Sequence, residues 1–419
     1  MGCANRKAEK HYAYDGVHPP GVGRSKADAR KDDPADQKTQ WARIRERAAA
    51  RTNLEETHKN ETPGGSGSAT KGARAAAAAS RETLYRLPSC PRAEDILTHV
   101  CWVDGDSFVT AGINGGCYLY NLETRKERNF QAAINRACTK VYPLSCPDAG
   151  GARTVGPDSS GSDVDRLLTC GADGCVKLWD LGKLRPTTLT QHRMTVNDAA
   201  VRGRGGGQNW KVLSGSRDAV LNLSDVATQQ VLHTKKVLRN VITRVLYVPE
   251  QDVFVQLSED LQLRVWSPAL ELLHSVHAGP NQFVSGAAVG AEVVCGSKGF
   301  SSETVELLVF DLRTMSIRKR VAGVATQNVD CVDVVRGGST AEDVGAAPAY
   351  QIVAGSKDGT LKVFDDNLKC VSTLRIDQPS PITSCSVRGG LCLATSFGPR
   401  ISCYDLKNSV AVAESPILA

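Results

Sequence analysis

The stretch Leu167–Leu181, "LLTCGADGCVKLWDL", decides how this chain folds. An apolar run reaches small residues, turns at Asp173-Gly174, and resumes as a second run that ends in Trp179-Asp180. An Asp-Gly dipeptide tolerates positive φ and matches the twist of a two-residue hairpin, so the segment predicts two antiparallel strands. Val176 and Leu178 then face one side of the second strand, and Lys177 and Trp179 the other.

Six further segments lie in register with it: "FVTAGINGGCYLYNL" (108–122), "VLSGSRDAVLNLSDV" (212–226), "VQLSEDLQLRVWSP" (255–268), "VVCGSKGFSSETVELLVFDL" (293–312), "IVAGSKDGTLKVFDD" (352–366) and "LATSFGPRISCYDL" (393–406). Counting Trp179, the anchor positions are Tyr120, Trp179, Ser224, Trp266, Phe310, Phe364 and Tyr404, spaced about 40 to about 60 residues apart. Asp218, Asp260 and Asp358 stand where Asp173 does, which assigns all four to turn stabilisation rather than to paired catalytic carboxylates. A four-stranded unit cannot bury both faces alone, and radial stacking of several units solves that problem.

The seven units resemble the WD-repeat family, whose period is about 40 to 45 residues. The resemblance implies an all-β, seven-bladed β-propeller over 81–419. Members of that family join a His, a Ser or Thr, an Asp and a Trp in each blade as a buried hydrogen-bonded set. Only fragments stand here: His192 with Asp218 but Ser224 for the Trp, and Asp173 with Trp179 but no His. Apolar packing is therefore expected to carry most of the blades. For the outer strand of the last blade, "ETLYRL" (82–87) is preferred over "SVAVAE" (409–414). Two Gly-, Ser- and Ala-rich insertions (145–165 and 336–349) read as surface loops, and "KGFSSETVE" (298–306) lengthens a tight turn.

Within that family, "RNVITRVLYVPEQDVFVQLSEDLQLRVW" (239–266), "SKGFSSETVELLVFDLR" (297–313) and "SPITSCSVRGGLCLATSFGPRISCYDL" (380–406) resemble a cilium-associated branch, including its insertion at 299–302. This implies a non-catalytic adaptor in ciliary or flagellar traffic, near membrane-associated small-GTPase machinery. A different class of function is implied by Phe310-Asp311-Leu312-Arg313, similar to the W-D-x-R box by which some WD propellers dock to a cullin-type ubiquitin ligase adaptor. Asp311 and Arg313 would carry that docking, and a solvated strand end is the plainer reading of Arg313.

Residues 1–80 are of another kind. They hold few large apolar residues and carry 15 Lys and Arg against ten acids, whereas the remaining 339 residues carry a net charge of only +1. Such a stretch cannot offset the entropy of ordering itself and is expected to be a disordered basic tail. "QWARIRERAAARTNLEE" (40–56) has helical spacing, either as a transient solvated helix or as a partner- or membrane-binding segment. The chain opens "MGCANRKAEK". Gly2 is the acceptor position of an N-myristoyl signal, written M-G-x-x-x-[ST], although Arg6 occupies the Ser/Thr position. One myristoyl chain binds membranes with an association constant on the order of 10⁴ M⁻¹, so a second signal is needed, and Cys3 is the candidate for palmitoylation. The alternative is an unmodified start.

Other chemistries find no support. There is no Walker A loop, no G-x-S-x-G elbow and no CxxC pair among the 14 cysteines, so no catalytic residue, metal or cofactor is expected. The cysteines read as buried reduced thiols. The positive charge sits on the tail and not on the folded part, which argues against nucleic acid as a partner. The expected partners are other proteins, met through the faces and loops of a monomeric propeller within a complex, and a membrane, met through the acylated N-terminus.

Overall fold

Short strands of alternating polarity, separated by turn residues, pair with their neighbours in the chain and leave one edge wet. This happens seven times. The computed structural model describes residues 95–122, 124–145, 164–203, 210–237, 240–299, 304–336, 350–375, 380–406 and 410–414. Gly2, Cys3, the rest of the tail, the segment 82–87 and nearly all of the two long insertions lie outside the described residues.

The seven blades are 97–131, 138–191, 196–236, 242–277, 282–322, 329–375 and 382–414, each a four-stranded sheet whose strands pair in chain order. The innermost strands are Leu97–Trp102, Cys138–Ser145, Val196–Arg202, Ile242–Val248, Gln282–Val289, Val329–Arg336 and Ile382–Arg388. Each contacts the next, and the last contacts the first, so the ring closes. Burial falls outward: the second strands Ser107–Gly112 and Val253–Ser258 are buried throughout, whereas the fourth strand Gln230–Lys236 is exposed along its length. The seven-bladed all-β propeller read from the sequence is the observed fold.

Two expectations are corrected. The fourth strand of the last blade is Val410–Glu414, paired with Ile401–Asp405. The edge expected to receive 82–87 is thus taken by the competing segment, which follows its partner after a short connection and closes at little entropic cost. Every blade is therefore built from four consecutive strands. The Asp173 hairpin is also one residue longer than a two-residue loop, with Ala172, Asp173 and Gly174 between its strands. Gly174 N donates to Gly171 O at 3.2 Å, and Gly174 takes φ +83°. This is the three-residue alternative that the same dipeptide permits. A Cβ on Gly174 would stand 2.4 Å from the carbonyl oxygen of His192, so close approach adds to the conformational demand.

With no strand crossing the seam, side chains join the blades. One apolar cluster fills each of the seven junctions; at the seam, Leu97, Trp102, Phe108 and Tyr120 of blade 1 pack with Leu393, Ile401 and Cys403 of blade 7. Each aromatic anchor faces the preceding blade: Trp179 lies in the cluster between blades 1 and 2, Trp266 between 3 and 4, Phe310 between 4 and 5.

A second set of bonds runs nearer the axis. Thr98 Oγ1 donates to Cys138 O (2.5 Å), Thr139 Oγ1 to Val196 O (2.6 Å), Asn197 Nδ2 to Ile242 O (2.7 Å) and Thr243 Oγ1 to Phe283 O (2.8 Å). These four residues hold one repeat position; the first three reach the first residue of the next blade's inner strand, and Thr243 reaches the second. Ser285 Oγ donates to Val329 O at 2.6 Å across the fifth junction, and Asp333 accepts from Val387 N at 2.6 Å across the sixth. At the seam, Ser386 Oγ accepts from Trp102 N (3.3 Å) and Ser386 O from Trp102 Nε1 (3.1 Å). All seven junctions thus carry a polar latch, each worth about 0.5 to 1.5 kcal/mol.

Candidate functional site

The anchors and turn aspartates occupy equivalent places in their blades. Tyr120, Trp179, Ser224, Trp266, Phe310, Phe364 and Tyr404 all lie on third strands and are buried. Asp173 Oδ1 accepts from Cys175 N (3.0 Å), Asp218 Oδ1 from Val220 N (3.0 Å), Asp260 Oδ1 from Gln262 N (3.2 Å) and Asp358 Oδ1 from Thr360 N (2.9 Å). Each carboxylate holds the amide two residues on, the short-range bond that favours Asp in a turn.

Blade 3 keeps most of the buried set without its Trp. His192 Nε2 and Ser214 Oγ are 2.8 Å apart, and His192 Nδ1 is 3.4 Å from Asp218 Oδ2. Burial pushes the imidazole pKa down, against the pull of Asp218. The order Ser-His-Asp has the form of a hydrolytic triad, but Ser214 is 0% exposed and its hydroxyl reaches Asn222 O at 3.4 Å, so no substrate can meet it. At the anchor, the Ser224 hydroxyl is buried without a hydrogen-bond partner. The indole missing from position 224 is replaced from elsewhere: Trp210, at the entry to the second strand, packs in the cluster between blades 2 and 3.

Blade 4 solves the same problem differently. Trp266 Nε1 donates to Gln256 Oε1 (2.9 Å), Gln256 Nε2 to Ser258 Oγ (3.3 Å) and Ser258 Oγ to Asp260 Oδ1 (2.7 Å). Arg264 pairs with Asp260 as well. Sequence reading missed Gln256, because Gln in a strand of "FVQLS" carries no motif. In blade 2, Trp179 Nε1 donates to Thr169 Oγ1 at 2.9 Å, the equivalent bond with the usual residue type.

Asp311 and Arg313 come together only as a local turn. Asp311 Oδ1 accepts from Arg313 N at 2.8 Å, while the Arg313 side chain is exposed and Phe310 is fully buried. Arg313 lines a cleft of about 400 Å³ with Glu250, Glu292, Arg318, Arg336 and Tyr350. Arg318 pairs with Glu292 at 2.6 Å and Arg336 with Glu250 at 2.5 Å, and Tyr350 donates to Glu292 Oε2 at 2.6 Å. Burial and Glu292 push the Tyr350 phenol up.

The first strands also carry charge toward the axis. Arg244 contacts Asp198 (3.2 Å) and Tyr142 OH (3.1 Å) and donates to Gly286 O, and Tyr142 donates in turn to Asp198. Burial opposes the Arg244 charge, and Asp198, Tyr142 and Asp333 together outweigh it. Nearby, burial and Arg244 pull Lys140 down to about 8, and burial pushes Asp333 up to about 6 against its amide donors Val387 and Val334. No group of three or more His, Cys, Asp or Glu among the described residues is placed to hold a metal ion. Most described cysteines are buried and Cys370 is exposed; burial pushes thiols such as Cys295 up to about 12.

Two comparisons with known proteins bear on this geometry. A family model described as "WD domain, G-beta repeat" matches residues 155–180, which take in the hairpin of blade 2. Among solved structures, the chain is similar to the computationally designed Ika8 protein, with TM-score 0.55 and 16% identity over 79% of this chain and 90% of that one. At that identity the likeness speaks for the fold alone. The matched repeat and the seven-bladed ring together support the WD-repeat family for this chain, a propeller fold that is typically non-catalytic and generally mediates protein–protein interaction.

Proposed function

We propose that the chain is a non-catalytic interaction scaffold held at the cytoplasmic side of a membrane, at a cilium or flagellum or its base, by an acylated N-terminus. The observation that carries the scaffold reading is the use of its chemistry. His192 is bonded to Ser214 in the interior with Asp218 3.4 Å from its other ring nitrogen, and the turn aspartates hold backbone amides. The ciliary setting rests on the likeness of residues 239–266, 297–313 and 380–406 to the cilium-associated WD repeat-containing protein thirty-one, and the tether rests on Gly2 and Cys3. Without acylation the chain would be cytoplasmic. Incorporation of a myristate analogue that Gly2→Ala abolishes, with membrane release on Cys3→Ala, tests the tether; a wholly soluble, unlabelled wild type overturns it. A C-terminally tagged chain should mark the cilium or its base.

A second reading, a substrate receptor of a cullin-type ubiquitin ligase, is favoured by the exposure of Arg313 beside an open cleft. Against it, Phe310 at the Trp position is buried and offers nothing to a partner. Co-purification of the ligase adaptor with wild type, lost in Arg313→Ala, would support this reading. No co-purification with wild type would remove it.

A further inference from the structure

In an antiparallel blade, second–third turns and fourth–first loops share one face of the ring, and first–second and third–fourth connections share the other. Four of the exposed large apolar residues sit on the first of these faces. They are Phe397 in the second–third turn of blade 7 (59% exposed), Ile113 in that of blade 1 (42%), Ile134 between blades 1 and 2 (80%) and Met194 between blades 2 and 3 (51%). Among the described residues, the other exposed large apolar side chains, such as Leu272 and Val371, lie on outer strands at the perimeter.

Backbone hydrogen bonds link the four loops into one arc. Leu97 N donates to Gly398 O (3.2 Å) and Ile113 N to Ile96 O (2.8 Å), joining blade 7 to blade 1. Ala132 N donates to Gly115 O (2.8 Å), Ala172 N to Ala137 O (2.8 Å) and His192 N to Gly174 O (2.8 Å), carrying the connection to Met194. At that end a cleft of about 580 Å³ opens between blades 2 and 3, with Arg193 and Lys236 on its wall.

The charge along the arc is one-sided for a physical reason. Its carboxylates are used internally: Asp95 accepts from Asn114 N and Tyr118 OH, Asp173 from Cys175 N, and Asp218 from Val220 N and Arg193 N. Arg136, Arg193 and Lys236 are exposed beside the apolar residues. Among the described residues of this face, the exposed carboxylate is Glu259, on blade 4 and beyond the arc. A nearly neutral propeller thus presents an apolar strip flanked by cations, and apolar clusters with a polar rim mark protein contact sites.

We propose that this arc, from Phe397 through Ile113 and Ile134 to Met194, docks an acidic amphipathic segment of a partner protein. Apolar side chains of the segment lie on the strip, and its carboxylates meet Arg136, Arg193 and Lys236. Attraction between opposite charges adds rate and orientation to a contact whose area is apolar, and it weakens with salt. The proposal deepens the scaffold reading and rests on it.

A random-peptide display library selected on the full chain tests it, followed by affinity measurement with the peptides recovered. They should combine Asp or Glu with large apolar residues. Their binding should fall at least about tenfold both in Ile134→Asp/Met194→Asp and in Arg136→Glu/Arg193→Glu, and stay unchanged in Val371→Asp, with melting temperatures showing each variant folded. No recovered binder, peptides without acidic bias, or full affinity in the variants overturns the proposal. So does cosedimentation of the Gly2→Ala protein with phosphatidylserine–phosphatidylcholine vesicles that these substitutions abolish, since the surface would then face lipid. Proteins found by proximity labelling separate the two levels. If they bind the arc variants as well as wild type, the scaffold stands and the arc falls; if none binds wild type, the scaffold falls too.

Discussion

The two faces of the ring cap their turns with the same residue type but leave their cations in different surroundings. On the face of the turn aspartates, Asp173, Asp218, Asp260 and Asp358 each fold back onto an amide of their own turn, and exposed cations are left beside apolar side chains. On the other face Asp180, Asp225, Asp311 and Asp365 fold back in the same way, but there arginines also find acids: Arg336 pairs with Glu250, Arg318 with Glu292, and Arg202 with Asp252 at 2.7 Å. Both faces spend carboxylates on shape; they differ in the cations left over, exposed on the first face as Arg136, Arg193 and Lys236 and paired on the second as Arg202, Arg318 and Arg336. A net charge counted along the chain is blind to that difference.

If this contrast is right, removing a carboxylate that is bonded into a turn of the first face should be far more damaging than breaking an exposed ion pair of the second. The largest effect is expected from Asp260→Ala, which strips the turn amide of Gln262, removes the acceptor of Ser258 Oγ and leaves Arg264 without its carboxylate. A loss of about 2 to 3 kcal/mol in chemical denaturation should result. A loss below about 0.5 kcal/mol would mean that the turn bonds are ornamental.

Between the faces, Asp333 gives a pH signature. Its folded pKa is raised to about 6, above the ordinary carboxyl value of 3.8, so its contribution is most favourable when protonated. That contribution declines as pH rises from about 4 through 6 and is flat above. Wild type should therefore gain on Asp333→Asn by about 1 to 2 kcal/mol as pH falls from 7 to 4, discounted from full burial because the carboxyl is only half-buried. A pH-independent difference would contradict the assignment.

Thr139→Val, which removes one polar latch between blades 2 and 3, should cost about 1 kcal/mol. The smallest effect belongs to the second face. Arg336→Ala breaks an exposed ion pair and should change stability by less than about 0.5 kcal/mol; a cost like that of Asp260→Ala would erase the contrast.

Much of this architecture was legible from the chain, because the turn aspartates and third-strand anchors recur at fixed offsets and the strands alternate in polarity. What escaped was long-range or non-repeating. Gln256 takes the indole of Trp266 without any motif, and Trp210 fills the junction that Ser224 leaves poor from a different place in its repeat. The latches at Thr98, Thr139, Asn197 and Thr243 do share a repeat position, but a Thr or Asn near a strand start is too common to notice until its acceptor on the next blade is seen. For the closing strand the chain offers two short candidate segments, 82–87 and 409–414, and only proximity to the partner strand distinguishes them. The candidate surface was the least legible part, since Ile113, Ile134, Met194 and Phe397 are isolated residues in four different loops.

Hydrogen exchange of the full chain, with and without a display-selected acidic peptide, tests the central claim most directly. Slowed exchange should be confined to amides in 112–115, 132–137, 192–195 and 397–400. Protection instead at 103–106, 181–184 or 312–315, on the opposite face, would contradict it.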